Sequence, residues 1–455
     1  MTALRTVMLA MVGAYGASTA GLATPTQSSP AAREVEAYET VKMPPGFRVE
    51  STELDGPVFA DAAGHTIYTW PQKAMRNGHS GEAKGMPECT SEVHKVTAGL
   101  MSPYPPGLEL PELDKRPSCT DAYPPVFSGA DAKPVGKWTI IDRKDGRKQW
   151  AYDEQPLYTS SYDQQPGDVL GGTTRQFGLD APAFRTPAKP PSLVPPGFEV
   201  KSTSVGRLLT TDKHFSVYAY DKDTPTSSAC NDECARTWKP LLAPRLAQPQ
   251  GEWSLLERSP GVTQWVFRGK PLYTYVMDPG QWSFEGSDNP GWKNVFVQHA
   301  PAPPADFTAQ DTRIGQVLAD HRGLTIYRYV CADDSVDQLS CNRPDDTQLY
   351  RLAMCGAGDA TRCLKNWPYV LAQPRAKSTS HSWSIMEIDP KTGRRASAGA
   401  TDTLRVWAYL DSPVYTYGGD THSGDINGTS TGEWRGQRNG LKAFALRDDM
   451  FRSNM

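Results

Sequence analysis

Residues 253–278 read WSLLERSPGVTQWVFRGKPLYTYVMD, and residues 138–163 read WTIIDRKDGRKQWAYDEQPLYTSSYD. The two stretches have equal length and place Trp, Gln-Trp, Pro-Leu-Tyr and Asp at the same offsets. A third version runs from Trp383 through Val406-Trp407-Ala-Tyr409 to Pro413-Val414-Tyr415 and Asp420, lengthened by about a dozen residues around Lys391 to Thr403. Within each version a short aromatic run turns at Gly or Pro and returns as another run, the pattern of a hairpin. In Gln149-Trp150-Ala151-Tyr152 the aromatic residues alternate, which puts Trp150 and Tyr152 on one face of a strand.

Working outward, the repetition extends upstream. Cys119, Cys234 and Cys363 each stand four residues before Tyr123, Trp238 and Trp367, and in the first two versions the cysteine precedes the Pro-Leu-Tyr tyrosine by 39 residues. Further back lie Thr66-Ile67-Tyr68-Thr69-Trp70, Ser216-Val217-Tyr218-Ala219-Tyr220 and Thr325-Ile326-Tyr327-Arg328-Tyr329. Two versions open on Pro-Pro-Gly-Phe, at Pro44–Phe47 and Pro195–Phe198. Self-similarity on this scale marks tandem units. The expected architecture is mainly β, with three tandem small β-rich domains, each a pseudo-duplicated hairpin unit; a single six-unit propeller-like ring is the alternative. The expected layout is a signal peptide over 1–23, a flexible segment over 24–43, and repeat domains over 44–180, 195–299 and 310–455. Pro/Ala-rich stretches at 181–194 and 300–309 read as linkers.

Composition narrows the function. The 455-residue chain has a net charge of −3, which excludes a broad basic face for nucleic acid. Its 39 Gly and 39 Pro disfavour long helices, while 12 Trp, 19 Tyr and 13 Phe supply area for small cores. The start combines Arg5, the apolar run Val7–Val12 and small residues at Ser18, Ala20, Gly21 and Ala23, the pattern of an export signal. No later stretch is long and apolar enough for a membrane span. A soluble protein, periplasmic or secreted after cleavage of that signal, is expected. Eight cysteines, Cys89, Cys119, Cys230, Cys234, Cys331, Cys341, Cys355 and Cys363, suit an oxidising compartment and read as disulfides before zinc. Expected partners are Cys89–Cys119, Cys230–Cys234, Cys331–Cys341 and Cys355–Cys363.

The pattern Tyr-x-aromatic-x-x-Asp is complete at Tyr218–Asp223, Tyr273–Asp278 and Tyr415–Asp420; Tyr158–Asp163 lacks the middle aromatic, and the strands at Tyr68 and Tyr327 lack the Asp. On these residues the chain resembles the bacterial "secreted repeat of unknown function" family, predicted lipoproteins that combine such half-units in pairs. The resemblance implies three pairs and no particular activity. No lipid-attachment cysteine lies near the expected cleavage region, so a lipid anchor is not expected.

Candidate chemistry is sparse. Asp163 with Asp168, and Asp420 with Asp425, lie in Gly-Asp-x-x-Gly contexts; the pairing suits a calcium ligand or, more simply, turn capping by carboxylates. Met75, His79, Met86, His94 and Met101 surround Cys89 with soft ligands of the kind copper takes, at irregular spacing. Trp150, Trp265, Trp407, Trp238, Trp367, Tyr158, Tyr218, Tyr220, Tyr273 and Tyr415 recur in register, as a shared core does, in preference to a ligand platform. No Ser/His/Asp elbow, phosphate loop or His-Glu-x-x-His is present. These readings converge on an exported, non-catalytic repeat protein that binds or scaffolds an unknown envelope protein or surface component. No cofactor is expected; the alternative is a periplasmic copper-binding or electron-transfer accessory.

Overall fold

A computed structural model of the chain describes residues 34–75, 78–92, 118–172, 185–313, 315–330, 359–429 and 440–447. They are mainly β, arranged as several small antiparallel sheets, and none of these sheets closes into a barrel. Each copy opens with a hairpin: Phe47–Thr52 against Gly56–Asp61, Phe198–Thr203 against Gly206–Thr211, and Thr308–Thr312 against Gly315–Ala319. The hairpin ends are built alike. The hydroxyls of Thr52, Thr203 and Thr312 donate to the carbonyls of Gly56, Gly206 and Gly315, closing each loop at 2.8, 2.8 and 2.6 Å.

The stretches that open the sequence reading form the second hairpin of each copy. Trp138 pairs with Tyr152, Trp253 with Phe267 and Trp383 with Tyr409, so each repeated Trp stands opposite an aromatic residue. Alternation turns Trp138 and Trp150, Trp253 and Trp265, and Trp383 and Trp407 inward. There they meet the opening phenylalanine of their copy: Phe47 lies 4.6 Å from Trp138, Phe198 4.9 Å from Trp253 and Phe307 5.4 Å from Trp383, ring centroid to centroid. Phe307 shows that the third copy opens as the others do, with Pro304-Ala-Asp306 in place of Pro-Pro-Gly; the amides of Phe47, Phe198 and Phe307 all donate to the proline three residues earlier. Offset and edge-on ring pairs of this kind add to area burial. The extra residues of copy three lie in its second hairpin's turn, between Ile388 and Leu404.

A short helical turn precedes the next strand in each copy, at Cys119–Ala122, Cys234–Thr237 and Ala360–Asn366. The amides of Tyr123, Trp238 and Trp367 donate back to the carbonyls of Cys119, Cys234 and Cys363, so each turn closes on its cysteine. The copies also touch one another through their opening hairpins. Leu54, at the tip of the first, packs into the core of copy three beside Phe307 and Trp383. The carboxylate of Glu53 accepts from the amides of His381 and Ser382, and the Gln298 amide of copy two donates to the carbonyls of Thr52 and Glu53. Arg207 and Glu36 form a buried ion pair. Among the described residues no helix is long and apolar enough to cross a membrane.

Candidate functional site

The recurring tyrosines stand in facing pairs on adjacent strands. Tyr68 and Tyr158 exchange backbone hydrogen bonds, Tyr218 is in register with Tyr273, and Tyr327 with Tyr415. All six are fully buried or nearly so. A buried phenol needs an acceptor, and the motif's aspartate supplies it from the opposite half-unit. The hydroxyls of Tyr68, Tyr218 and Tyr327 donate to Asp163, Asp278 and Asp420 at 2.8, 3.0 and 2.6 Å. Each of these hydroxyls in turn accepts from a glycine amide, of Gly171, Gly286 and Gly428.

The reciprocal bond is present in the first two copies. Tyr273 donates to Asp223 at 2.7 Å, and Tyr158 donates to Glu82 at 2.8 Å. Glu82 therefore does in copy one what Asp223 does in copy two, although it lies well beyond the motif's spacing. Tyr-x-aromatic-x-x-Asp is thus a cross-brace in which each half-unit supplies the phenol for its partner's carboxylate.

Burial sets the ionisation of these groups. It pushes Asp163 up to about 7 against the bonds from Tyr68 and the Leu170 amide that favour the anion, and Asp278 up to about 6 against the bond from Tyr218. Burial also raises Glu82, and lifts Tyr273 to about 12 and Tyr158, Tyr218 and Tyr327 further. The phenols stay protonated donors across the physiological range.

Beside each pair sits a disulfide: Cys89–Cys119 in copy one and Cys230–Cys234 in copy two. Cys363 is also disulfide-bonded, while Cys331, Cys341 and Cys355 lie outside the described residues. Arg143 and Arg258 hold the carbonyls of Cys89 and Cys230 at 2.8 and 2.7 Å. The same arginines donate to the amide oxygens of Gln149 and Gln264, whose nitrogens reach the carbonyls of Leu157 and Leu272, both at 2.7 Å. The shared spacing, Arg five residues after the repeated Trp and then Gln, was visible in sequence; its purpose was not.

The remaining candidates divide. One oxygen of Asp168 accepts from the amides of Gln164 and Gln165, and one of Asp425 from the amides of Thr421 and His422, all at 2.9 Å, so both carboxylates cap their own turns. The other oxygen of Asp168 meets His381 Nδ1 at 2.6 Å. Met75 and His79 lie on a small hairpin, Met86 is 60% exposed, and His94 and Met101 lie outside the described residues. Among the described residues no group of three His, Cys, Asp or Glu side chains is placed to hold a metal ion.

What recurs on the outside differs in kind. Val126, Leu241 and Val370 turn inward on the strand that follows the aromatic-proline pair, and the next residue turns outward. Those residues are Phe127, Leu242 and Leu371, exposed by 41%, 56% and 55% and paired in register with Gln149, Gln264 and Val406. Sequence reading passed over them because Phe and Leu in a strand look like core.

A family model described as a secreted repeat of unknown function matches residues 139–177 and 199–242, the second hairpin of copy one with its motif and the first part of copy two. No curated protein and no solved structure matches the chain.

Proposed function

We propose that this is an exported, non-catalytic repeat protein that binds a component of the cell envelope through the apolar residue each copy presents to solvent. The observation that carries the reading is the division of labour among repeated positions. The recurring Tyr, Asp, Gln and Arg side chains are bonded to one another or to backbone carbonyls in the interior, whereas Phe127, Leu242 and Leu371 recur exposed at one register position. One apolar side chain binds weakly; three on one molecule act together and gain by effective concentration. The secreted-repeat match supports export, with the periplasm or the exterior as location.

Co-sedimentation of the purified protein with envelope fragments of the producing cell tests this. The intact protein should pellet saturably, and the triple variant Phe127→Ser, Leu242→Ser, Leu371→Ser should pellet about tenfold less at an unchanged melting temperature. Equal pelleting of the two would refute the reading. The alternative of a copper-binding or electron-transfer accessory rests on Met75, His79, Met86 and His94; elemental analysis of protein from its own host decides it.

A further inference from the structure

The copies differ most beside their disulfides. Antiparallel pairing puts Arg185 in copy one, Trp292 in copy two and Leu441 in copy three at one position, next to Trp70, Tyr220 and Tyr329. In copy two the indole of Trp292 lies between Tyr220 and Trp238, at 4.5 and 3.6 Å. In copy one the guanidinium of Arg185 lies between Trp70 and Tyr123, at 4.1 and 3.6 Å. Arg185 is 6% exposed, and one of its terminal nitrogens stands 2.9 Å from Sγ of Cys119 and 3.9 Å from Sγ of Cys89. Among the described residues its Nε has no hydrogen-bond partner. Cys119 is partly exposed and Cys89 is buried. A cation held against a sulfur stabilises that sulfur as thiolate, and stabilising the reduced form makes a disulfide easier to reduce.

We propose that Cys89–Cys119 is a thiol–disulfide exchange site for a dithiol reductant, with Arg185 positioning charge on Cys119, whereas Cys230–Cys234 is a structural cross-link. A thiolate of the reductant attacks Sγ of Cys119; the Cys89–Cys119 bond breaks, a mixed disulfide forms, and Cys89 leaves as thiolate and takes a proton. The reductant's second thiolate then attacks its own sulfur in the mixed disulfide. Its disulfide closes and Cys119 leaves as the thiolate that Arg185 faces. The reductant loses two electrons and the cysteine pair gains them. The other groups facing this site are Glu82, Tyr123 and Tyr158 around the guanidinium and Arg143 on the Cys89 carbonyl.

The full-length protein is equilibrated with graded ratios of reduced and oxidised dithiothreitol, and each cysteine is scored by alkylation and peptide mass. Cys89–Cys119 should open at a ratio about tenfold lower than Cys230–Cys234. In Arg185→Met that gap should close by harder reduction of Cys89–Cys119, and Arg185→Lys should keep part of it. A merely structural Arg185 predicts the opposite sign, because loosened packing exposes the disulfide and eases its reduction. In reduced protein, Cys119 should alkylate with a midpoint at least about one pH unit below the ordinary thiol value near 8.5, and lose that advantage in Arg185→Met. Equal reduction of the two disulfides, or easier reduction in Arg185→Met, overturns the proposal.

Discussion

Copy one and copy two put different chemistry into one slot. Trp70 and Tyr123 in the first, and Tyr220 and Trp238 in the second, face each other at the spacing of a single flat group. An indole fills it in one case and a guanidinium in the other, both planar and both able to stack on rings. The unit therefore specifies a thickness here, and the polarity of what fills it is free to vary. The energetics are not equal. Trp292 contributes its whole buried area, while Arg185 must also be stripped of water in a site where the nearby carboxylate of Glu82 is itself held above the usual carboxylate range by burial.

The largest effect should come from emptying the slot in copy two. Trp292→Ala removes the centre of a stack and should cost about 3–5 kcal/mol. Arg185→Met, which keeps the slot filled and removes a buried charge, should be close to neutral. Urea unfolding followed by tryptophan fluorescence compares the two, and a loss for Arg185→Met equal to that for Trp292→Ala would show that the guanidinium is held by more than its shape.

The two copies also carry the carboxylates that burial raises. Asp163 and Asp278 hold their protons up to about pH 7 and about 6 in the folded chain, against about 3.9 unfolded. Between those limits the native state binds more protons than the unfolded state, so stability falls as pH rises. Their contribution is fully present below about pH 4, is lost progressively to about pH 6 for copy two and pH 7 for copy one, and is flat above. Melting temperatures from pH 4 to 8 should show this slope; Asp163→Asn should remove all of it between about pH 6 and 7 and about half of it below, and Asp278→Asn only the other half below about pH 6. Variants that keep the parent slope would place the titration elsewhere.

How much of this could be read beforehand follows from what each feature depends on. The paired Trp, Gln-Trp and Pro-Leu-Tyr spacings were legible because they belong to one continuous hairpin, where sequence distance and strand register are the same thing. The opening of copy three was not. Gly46 and Gly197 take φ of +91° and +92°, so the first two turns demand glycine, whereas Asp306 takes no such conformation and the Pro-Pro-Gly-Phe signal vanishes with the need for it. Glu82 escaped notice because an acid that only has to reach a phenol need not keep the spacing of the aspartate it replaces. Arg185 and Trp292 meet Trp70 and Tyr220 across strands more than seventy residues apart, and Arg, Trp and Leu share no pattern to align. Phe127, Leu242 and Leu371 do not stand out in the sequence for the opposite reason, a strand alternation with a solvent side that is apolar too.

The smallest effect is the most informative about how such copies diverge. Copies one and two bury Gln149 and Gln264 under Arg143 and Arg258, while copy three has Ile388 and Val406 at the same register positions, both fully buried. The polar pair was replaced as a pair, as expected if half of it is worse than none. Removing only the glutamine, as Gln264→Ala, takes one of two donors from the carbonyl of Leu272, which keeps the Leu241 amide, also removes one acceptor of Arg258, and with two bonds lost should cost about 1–3 kcal/mol. Replacing both, as Arg258→Ile with Gln264→Val, gives copy two the apolar solution of copy three. It should cost less than Gln264→Ala alone, since the side chains that need partners leave together and Arg258 is only half-buried, so water can reach the carbonyl of Cys230 that it releases. A double-mutant cycle measures the coupling directly. If the two substitutions simply add, the copies owe their different interiors to something other than this mutual dependence.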